Sequence, residues 1–168
     1  MGRNKLGKFE DLLQFKNVLE NFDERISEAQ AVIKSNELPK IYGVEFQLEQ
    51  LLSNLISNSL KYRKQNNPTK IKITSKIVKY SKVKKDLHLS RSRYLILKIS
   101  DNGIGFEKAY GEKIFQMFQR LHSKNEYSGT GLGLSICEKI VQNHHGHIYA
   151  KGYPGEGATF KIYLPYSA

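Results

Sequence analysis

The chain is 168 residues long, with 39% hydrophobic and 26% charged residues and a formal net charge of +11. That length and balance suit one soluble globular domain with a real core. They exclude a membrane-spanning helix within these residues, because no apolar run approaches the ~20 residues a bilayer needs, and no signal-peptide core follows Met1. The single cysteine, Cys137, excludes an intrachain disulfide and suits a reducing cytosol.

Along the chain, Met1 to Lys8 is rich in Gly and Lys and is expected to be poorly ordered. Residues 11–31 are predicted as a helix, with Leu12, Phe15, Val18, Leu19, Phe22 and Ile26 at helical spacing. Val32-Ile33-Lys34 starts a short strand, and Leu38-Pro39 breaks the chain. Residues 45–63 give the clearest helix. Leu48, Leu51, Leu52, Leu55, Ile56 and Ser59 form one apolar-to-small stripe. Gln47, Gln50, Asn54, Asn58 and Lys61 climb another face. Asparagine is a mediocre helix former, so two of them one turn apart call for a reason: solvent exposure, or a site.

Asn66-Asn67-Pro68 is a turn signal, and Lys70 to Tyr80 alternates as a half-buried strand. Residues 81–92 read as a basic hairpin loop. Tyr94 to Ser100 is a second, nearly continuous apolar strand that delivers Asp101 at its C-terminal end, where α/β proteins place ligand groups. Ile114 to Phe118 is apolar, and His122 to Ser128 is polar, which suggests a lid between two glycine motifs. Leu132 to Asn143 is predicted as a helix stopped by Gly146, with Cys137 packed inside it. His147 to Lys151 and Ala158 to Leu164 close the chain as strands around Pro154-Gly155-Glu156-Gly157. The pattern is α+β: about three helices over one face of a sheet of four or five strands.

The basic residues are unevenly spread. Residues 61–98 carry +12 and the rest of the chain −1. A basic stripe can face nucleic acid, membrane or a polyphosphate. Here no aromatic interleaving for base stacking is evident, so most of these lysines read as a solvated hairpin that guards strand edges, and no nucleic-acid partner is expected.

Three motifs carry chemistry. Gly129-Thr130-Gly131-Leu132-Gly133-Leu134 runs straight into a helix, a geometry that brings backbone N–H groups and a helix dipole to a phosphate. It is neither a P-loop nor a dinucleotide fingerprint, because it lacks the Gly-Lys-Ser/Thr ending and a preceding strand. Asp101-Asn102-Gly103-Ile104-Gly105-Phe106 can cap a turn, or it can aim a carboxylate at a purine amino group with room for a flat base. Asn58 offers a neutral oxygen suited to Mg²⁺, and Lys61, one turn on, can neutralise phosphate charge.

These motifs, in this order, resemble the catalytic, ATP-binding domain of sensor histidine kinases, in the wider class of gyrase, Hsp90 and MutL ATPases. The resemblance covers roughly residues 15–165. Leu55 to Tyr62 matches the N box, Asp101 to Phe106 the first glycine box, Ile114 to His122 the F box, Gly129 to Leu134 the second glycine box, and Gly155 to Phe160 the closing turn. It implies a two-layer sandwich with a mixed sheet and a lid between the glycine boxes. It also implies ATP and Mg²⁺ as cofactors. Asp101 would contact adenine, Asn58 the metal and Asn54 its support. Lys61 and Tyr62 would line the phosphates and ribose. Gly103, Gly105 and Phe106 would shape the base pocket. Gly129, Thr130, Gly131, Leu132, Gly133 and Leu134 would form the hinge and phosphate turn, and Thr159 belongs to the closing turn beside the nucleotide.

Two departures matter. Hydrolytic relatives carry a Glu at the position of Asn54, and an amide cannot take a proton from water. The first histidine is His88, so no phosphoacceptor precedes the N box, and His144, His145 and His147 match no standard metal spacing. The resemblance thus implies a kinase domain acting on a separate histidine-containing dimerisation domain, with a response regulator downstream. Residues 1–14 would be linker or helix tail, residues 15–168 the catalytic domain, and the location the cytoplasm, with membrane contact only through other parts. A serine kinase of the same fold and a non-catalytic nucleotide sensor are the alternatives. The F box and Lys61-Tyr62 weigh against the first, the intact boxes against the second.

Overall fold

The computed structural model describes residues 7–9, 17–79, 93–116 and 131–166. Seven strands and three principal helices follow in the order β1 (Gly7–Phe9), α1 (Asp23–Glu28), β2 (Val32–Ser35), β3 (Ile41–Gly43), α2 (Glu45–Lys61), β4 (Lys70–Lys79), β5 (Arg93–Asp101), α3 (Gly133–Asn143), β6 (His147–Tyr153) and β7 (Gly157–Pro165). Residues 17–20 are also helical, and two 3₁₀ turns lie at Lys108–Tyr110 and Lys113–Phe115.

Five strands form one mixed sheet in the order β2-β4-β5-β7-β6, with β2 parallel to β4 and the remaining pairs antiparallel. The helices cover one face, as the sequence pattern predicts. Period-two alternation turns Ile71, Ile73, Leu97, Ile99, Phe160 and Ile162 toward the stripe of α2, where Leu55 and Ile56 are fully buried. Glu45 in the first turn of α2 and Lys61 in the last complement its dipole. A second, smaller cluster of Tyr94, Ile96 and Tyr163 lies apart from this core and belongs to the opposite face of the sheet.

Several local expectations need correction. The helix predicted over 11–31 is broken at residues 21–22, and its residues 11–16 lie outside those described. Phe22 leaves the helical region (φ −116°, ψ 6°), and Asp23 and Glu24 begin a new first turn. The second piece is tied to α2 by Arg25, which donates to the hydroxyl and carbonyl of Ser57 at 3.0 and 3.4 Å. Gly7 and Lys8 are ordered as strand, because β1 pairs with the unpredicted β3. The end of α3 is made by His145 (φ +56°), whose left-handed backbone lets Gly146 N–H reach the carbonyl of Val141 at 2.9 Å. Gly146 itself is small because the Tyr163 backbone carbonyl leaves no room for a side chain. The loop predicted over 81–92 and most of the predicted lid lie outside the described residues. Among those residues, no helix is long and apolar enough to cross a membrane.

His144 closes the junction between α3 and α2. Its Nδ1 faces the Ile140 carbonyl at 2.7 Å, and its Nε2 accepts the Val44 N–H at 2.9 Å, one residue before α2 begins. A structural tie thus accounts for this histidine, and among the described residues no three His, Cys, Asp or Glu group as a metal site. Cys137 is buried, and burial pushes its thiol up to about 12, as a packed and inert cysteine requires.

Candidate functional site

Helix α2 is the spine of the site. Near its C-terminal end, Ser59 donates its hydroxyl to Asp101 Oδ2 at 3.1 Å. Asp101 Oδ1 accepts two backbone N–H groups, from Gly103 at 2.9 Å and Ala158 at 3.2 Å. The carboxylate is therefore pinned at the end of β5 from three directions. Burial pushes its pKa up, against the pull of the Gly103 N–H, the Ser59 hydroxyl and the Ala158 N–H.

The first glycine box wraps tightly round this corner. Ile104 N–H donates to the Tyr62 carbonyl at 2.9 Å, just past the end of α2. A side chain at Gly103 would run into that carbonyl, and one at Gly105 into the carbonyls of Tyr153 and Gly157. Gly155 N–H donates to Ile104 at 2.7 Å, so the β6–β7 turn is bolted onto the box. Asn102 staples the other side: it donates to the Pro68 carbonyl at 3.0 Å and accepts Lys70 N–H at 2.7 Å. Phe106 packs its ring on Gly152 and joins the core rather than standing free.

One helical turn or more toward the N-terminus, Asn54 Nδ2 donates to the Gly133 carbonyl at 3.2 Å. Gly133 opens α3, and Gly131 (φ +73°) and Leu132 lead into it. Among the described residues no side chain caps this helix, which leaves its first N–H groups to a ligand. Leu132 carbonyl accepts Ile136 N–H and the Ser135 hydroxyl, and Leu134 packs on the core. Asn58 lies between the two ends, half-buried on α2, and its side-chain amide bonds to no other described residue. Lys61 Nζ sits over the Tyr62 ring, 4.6 Å from its centroid.

Asp101, Asn54, Asn58, Lys61 and Tyr62, with the first glycine box and residues 131–134 of the second, thus gather on or beside one helix. From Asn54 to Tyr62 the helix rises about 12 Å, which sets a polar hydrogen-bonding corner at one end and a helix N-terminus at the other. Thr159 is not part of this group. Strand alternation turns it to the opposite face of the sheet, where its hydroxyl donates to Ser100 Oγ at 3.0 Å. Gly129 and Thr130 lie outside the described residues. Ile114 and Phe115 of the F box are buried, with Phe115 edge-on to Phe160 at 6.5 Å; the rest of that box, from 117 onward, is likewise outside.

Two partners of Asp101 escaped the sequence, as did the tight contact of Gly157 with it. Ser59 looked like a small member of an apolar stripe, and its position four residues after Leu55 was its only signal. The Ala158 N–H carries no side-chain mark at all. Gly157 (φ +115°) would collide with the Asp101 carbonyl if it bore a side chain.

Comparison with known proteins fits this geometry. A family model described as histidine kinase-, DNA gyrase B- and HSP90-like ATPase matches residues 43–168. The phytochrome-like protein Cph1 of Synechocystis sp. is 38% identical over 147 residues, 88% of this chain and 18% of its own length. The adaptive-response sensory kinase SasA of Synechococcus elongatus is 32% identical over 160 residues, 94% of this chain and 37% of its own. Among solved structures, the catalytic domain of histidine kinase ThkA in a nucleotide-free form superposes with a TM-score of 0.72 at 26% identity, covering 96% of this chain and 95% of that one. The chain spans well under half the length of these curated relatives.

Proposed function

The chain belongs to the histidine kinase-, DNA gyrase B- and HSP90-like ATPase family, and on that premise we propose that it binds ATP·Mg²⁺ and transfers the γ-phosphoryl group to a histidine on a separate dimerisation domain. The observation that carries this reading is the double attachment of α2, to Asp101 through Ser59 and to the second glycine box through Asn54. The Asp101 carboxylate would accept the adenine amino group, beside a glycine-lined slot for the base. The phosphates would meet the uncapped N-terminus of α3, with Lys61 alongside.

Asn58 fits a Mg²⁺ ligand, since its amide oxygen is unengaged among the described residues and it stands between the base corner and the phosphate end. When bound, the ion supplies charge neutralisation on the phosphates. The protein's own work is positioning: it holds the nucleotide at both ends while the acceptor imidazole nitrogen bonds to the γ-phosphorus and ADP departs with the electrons of the broken P–O bond. The dimerisation domain and a response regulator are the partners in this scheme, which places the reaction in the cytoplasm. In this reading residues 1–14 lead toward the acceptor domain, with Gly7–Phe9 already paired to Ile41–Gly43 of this one.

Calorimetric titration with ATP, with and without Mg²⁺, tests the reading. Wild type is expected to bind in both conditions and more tightly with the metal. Asn58→Ala should keep the metal-free affinity and lose the Mg²⁺-dependent gain; a variant that retains the gain removes Asn58 from the metal site.

Asn54 explains why such a pocket would spare its ATP. Its amide donates to Gly133 and offers no base for water. Asn54→Glu is expected to raise phosphate release from ATP about 100-fold, the low end of what a positioned base supplies. An unchanged rate would mean that access of water, and not the base, limits hydrolysis.

A further inference from the structure

The face of the sheet turned away from the helices is chemically one-sided. Register places Lys76 of β4, Lys98 of β5, Lys161 of β7 and Lys151 of β6 on it, one lysine from each of four successive strands. Four adjacent strands span only about 14 Å. None of the outward-facing positions of these strands is Asp or Glu. Lys98 and Lys161 stand directly opposite each other across the β5–β7 ladder, an arrangement that like charges disfavour.

Edge protection accounts for lysines on outer strands, where they discourage pairing with another chain. It does not account for these two. β5 is the middle strand of the five and β7 lies between β5 and β6, so neither has a free edge. The side chains are also held in place. Lys161 Nζ lies 5.1 Å from the ring centroid of Tyr163 and 5.7 Å from that of Tyr149, and those two rings stack at 6.2 Å. Burial disfavours the Lys161 ammonium, but the hydroxyls of Tyr163 and Tyr149 outweigh it and leave its pKa raised, so the charge is retained. The four lysines, with Thr74 and Thr159, line a depression of about 530 Å³.

We propose that this depression is a second anion site, separate from the nucleotide cleft, that takes a compact oligophosphate. The ligand class follows from the groups present. Lysine ammoniums are point charges on flexible stems, suited to clustered phosphate oxygens without the planar fork that single carboxylates or phosphates favour. The Thr74 hydroxyl adds a neutral donor, while Thr159 already donates to Ser100. A base-stacking nucleic-acid platform fits less well, because Tyr94 and Tyr163 are buried and lysine covers the rings of Tyr149 and Tyr163. The site lies on the opposite side of the sheet from Asp101, so occupancy of one leaves the other open.

Sodium tripolyphosphate, titrated calorimetrically at low ionic strength, is the probe. Wild type should bind it, with unchanged affinity when ADP·Mg²⁺ is saturating. Lys98→Glu and the double variant Lys98→Gln/Lys161→Gln should each lose at least tenfold in tripolyphosphate affinity while ATP·Mg²⁺ affinity stays within twofold. Thermal unfolding provides the check on folding for both, so the outcome can be read even where nucleotide binding fails. Equal tripolyphosphate affinity in wild type and variants, or its abolition by ADP·Mg²⁺, overturns the proposal.

Discussion

Asp101→Asn is expected to cut ATP affinity about 100-fold, or roughly 3 kcal/mol, while leaving the domain folded. The substitution is nearly isosteric. The amide oxygen can still accept the N–H groups of Gly103 and Ala158, and the new NH₂ can donate to Ser59. What changes is the face presented to the base: a donor now meets the adenine amino group, and two donors cannot pair. Stability should move the other way. Burial raises the Asp101 pKa above its ordinary value of 3.8. Its contribution is therefore fully present below that value and is lost as pH rises through the raised folded value. The asparagine variant has no such loss, so its advantage in urea unfolding should open as the pH moves from acid to neutral. Unchanged ATP affinity in the variant would remove the adenine role from Asp101.

Gly157→Ala is expected to destabilise the fold by about 4 kcal/mol, a large part of the stability of an ordinary domain. Two penalties add. The backbone at φ +115° strains any L side chain, and the new methyl would overlap the Asp101 carbonyl. Gly155→Ala separates the two terms. Gly155 also has positive φ (+74°), but nothing lies within 4 Å of where its methyl would go. It should lose only about 1 kcal/mol by urea denaturation. Similar losses in both would show that strain alone, and not contact with the Asp101 corner, fixes the turn.

The boxes were legible because their chemistry is local. The alternating glycines before α3, the Asn54 and Asn58 steps on α2 and the Asp101 strand end each declare themselves within a dozen residues. The helix-on-sheet architecture followed from equally local periods of 3.6 and 2. What escaped was set by partners distant in the chain. Ser59 became a ligand of Asp101 only because β5 ends beside α2. β3 is three residues long, too short to show alternation, and exists because β1 pairs with it. Thr159 could have been placed: Phe160 and Ile162 alternate into the core, which sends Thr159 outward. The motif pulled it toward the nucleotide, and strand geometry decided otherwise. Lys98 was read as part of a solvated stripe and Lys161 drew no notice, because their direct opposition depends on a register that no local pattern reveals.

The Ala158 N–H that holds Asp101 comes from β7, 57 residues further along. During synthesis, a chain that has emerged only to residue 150 contains the N box and both glycine boxes, yet lacks the strand that completes the base corner. β6 has no partner, and β5 is paired only with β4, until β7 arrives between them. Such non-local closure makes for slow folding. It also makes nucleotide capture a late event: the domain gains its ligand only once the last strand of its sheet is in place.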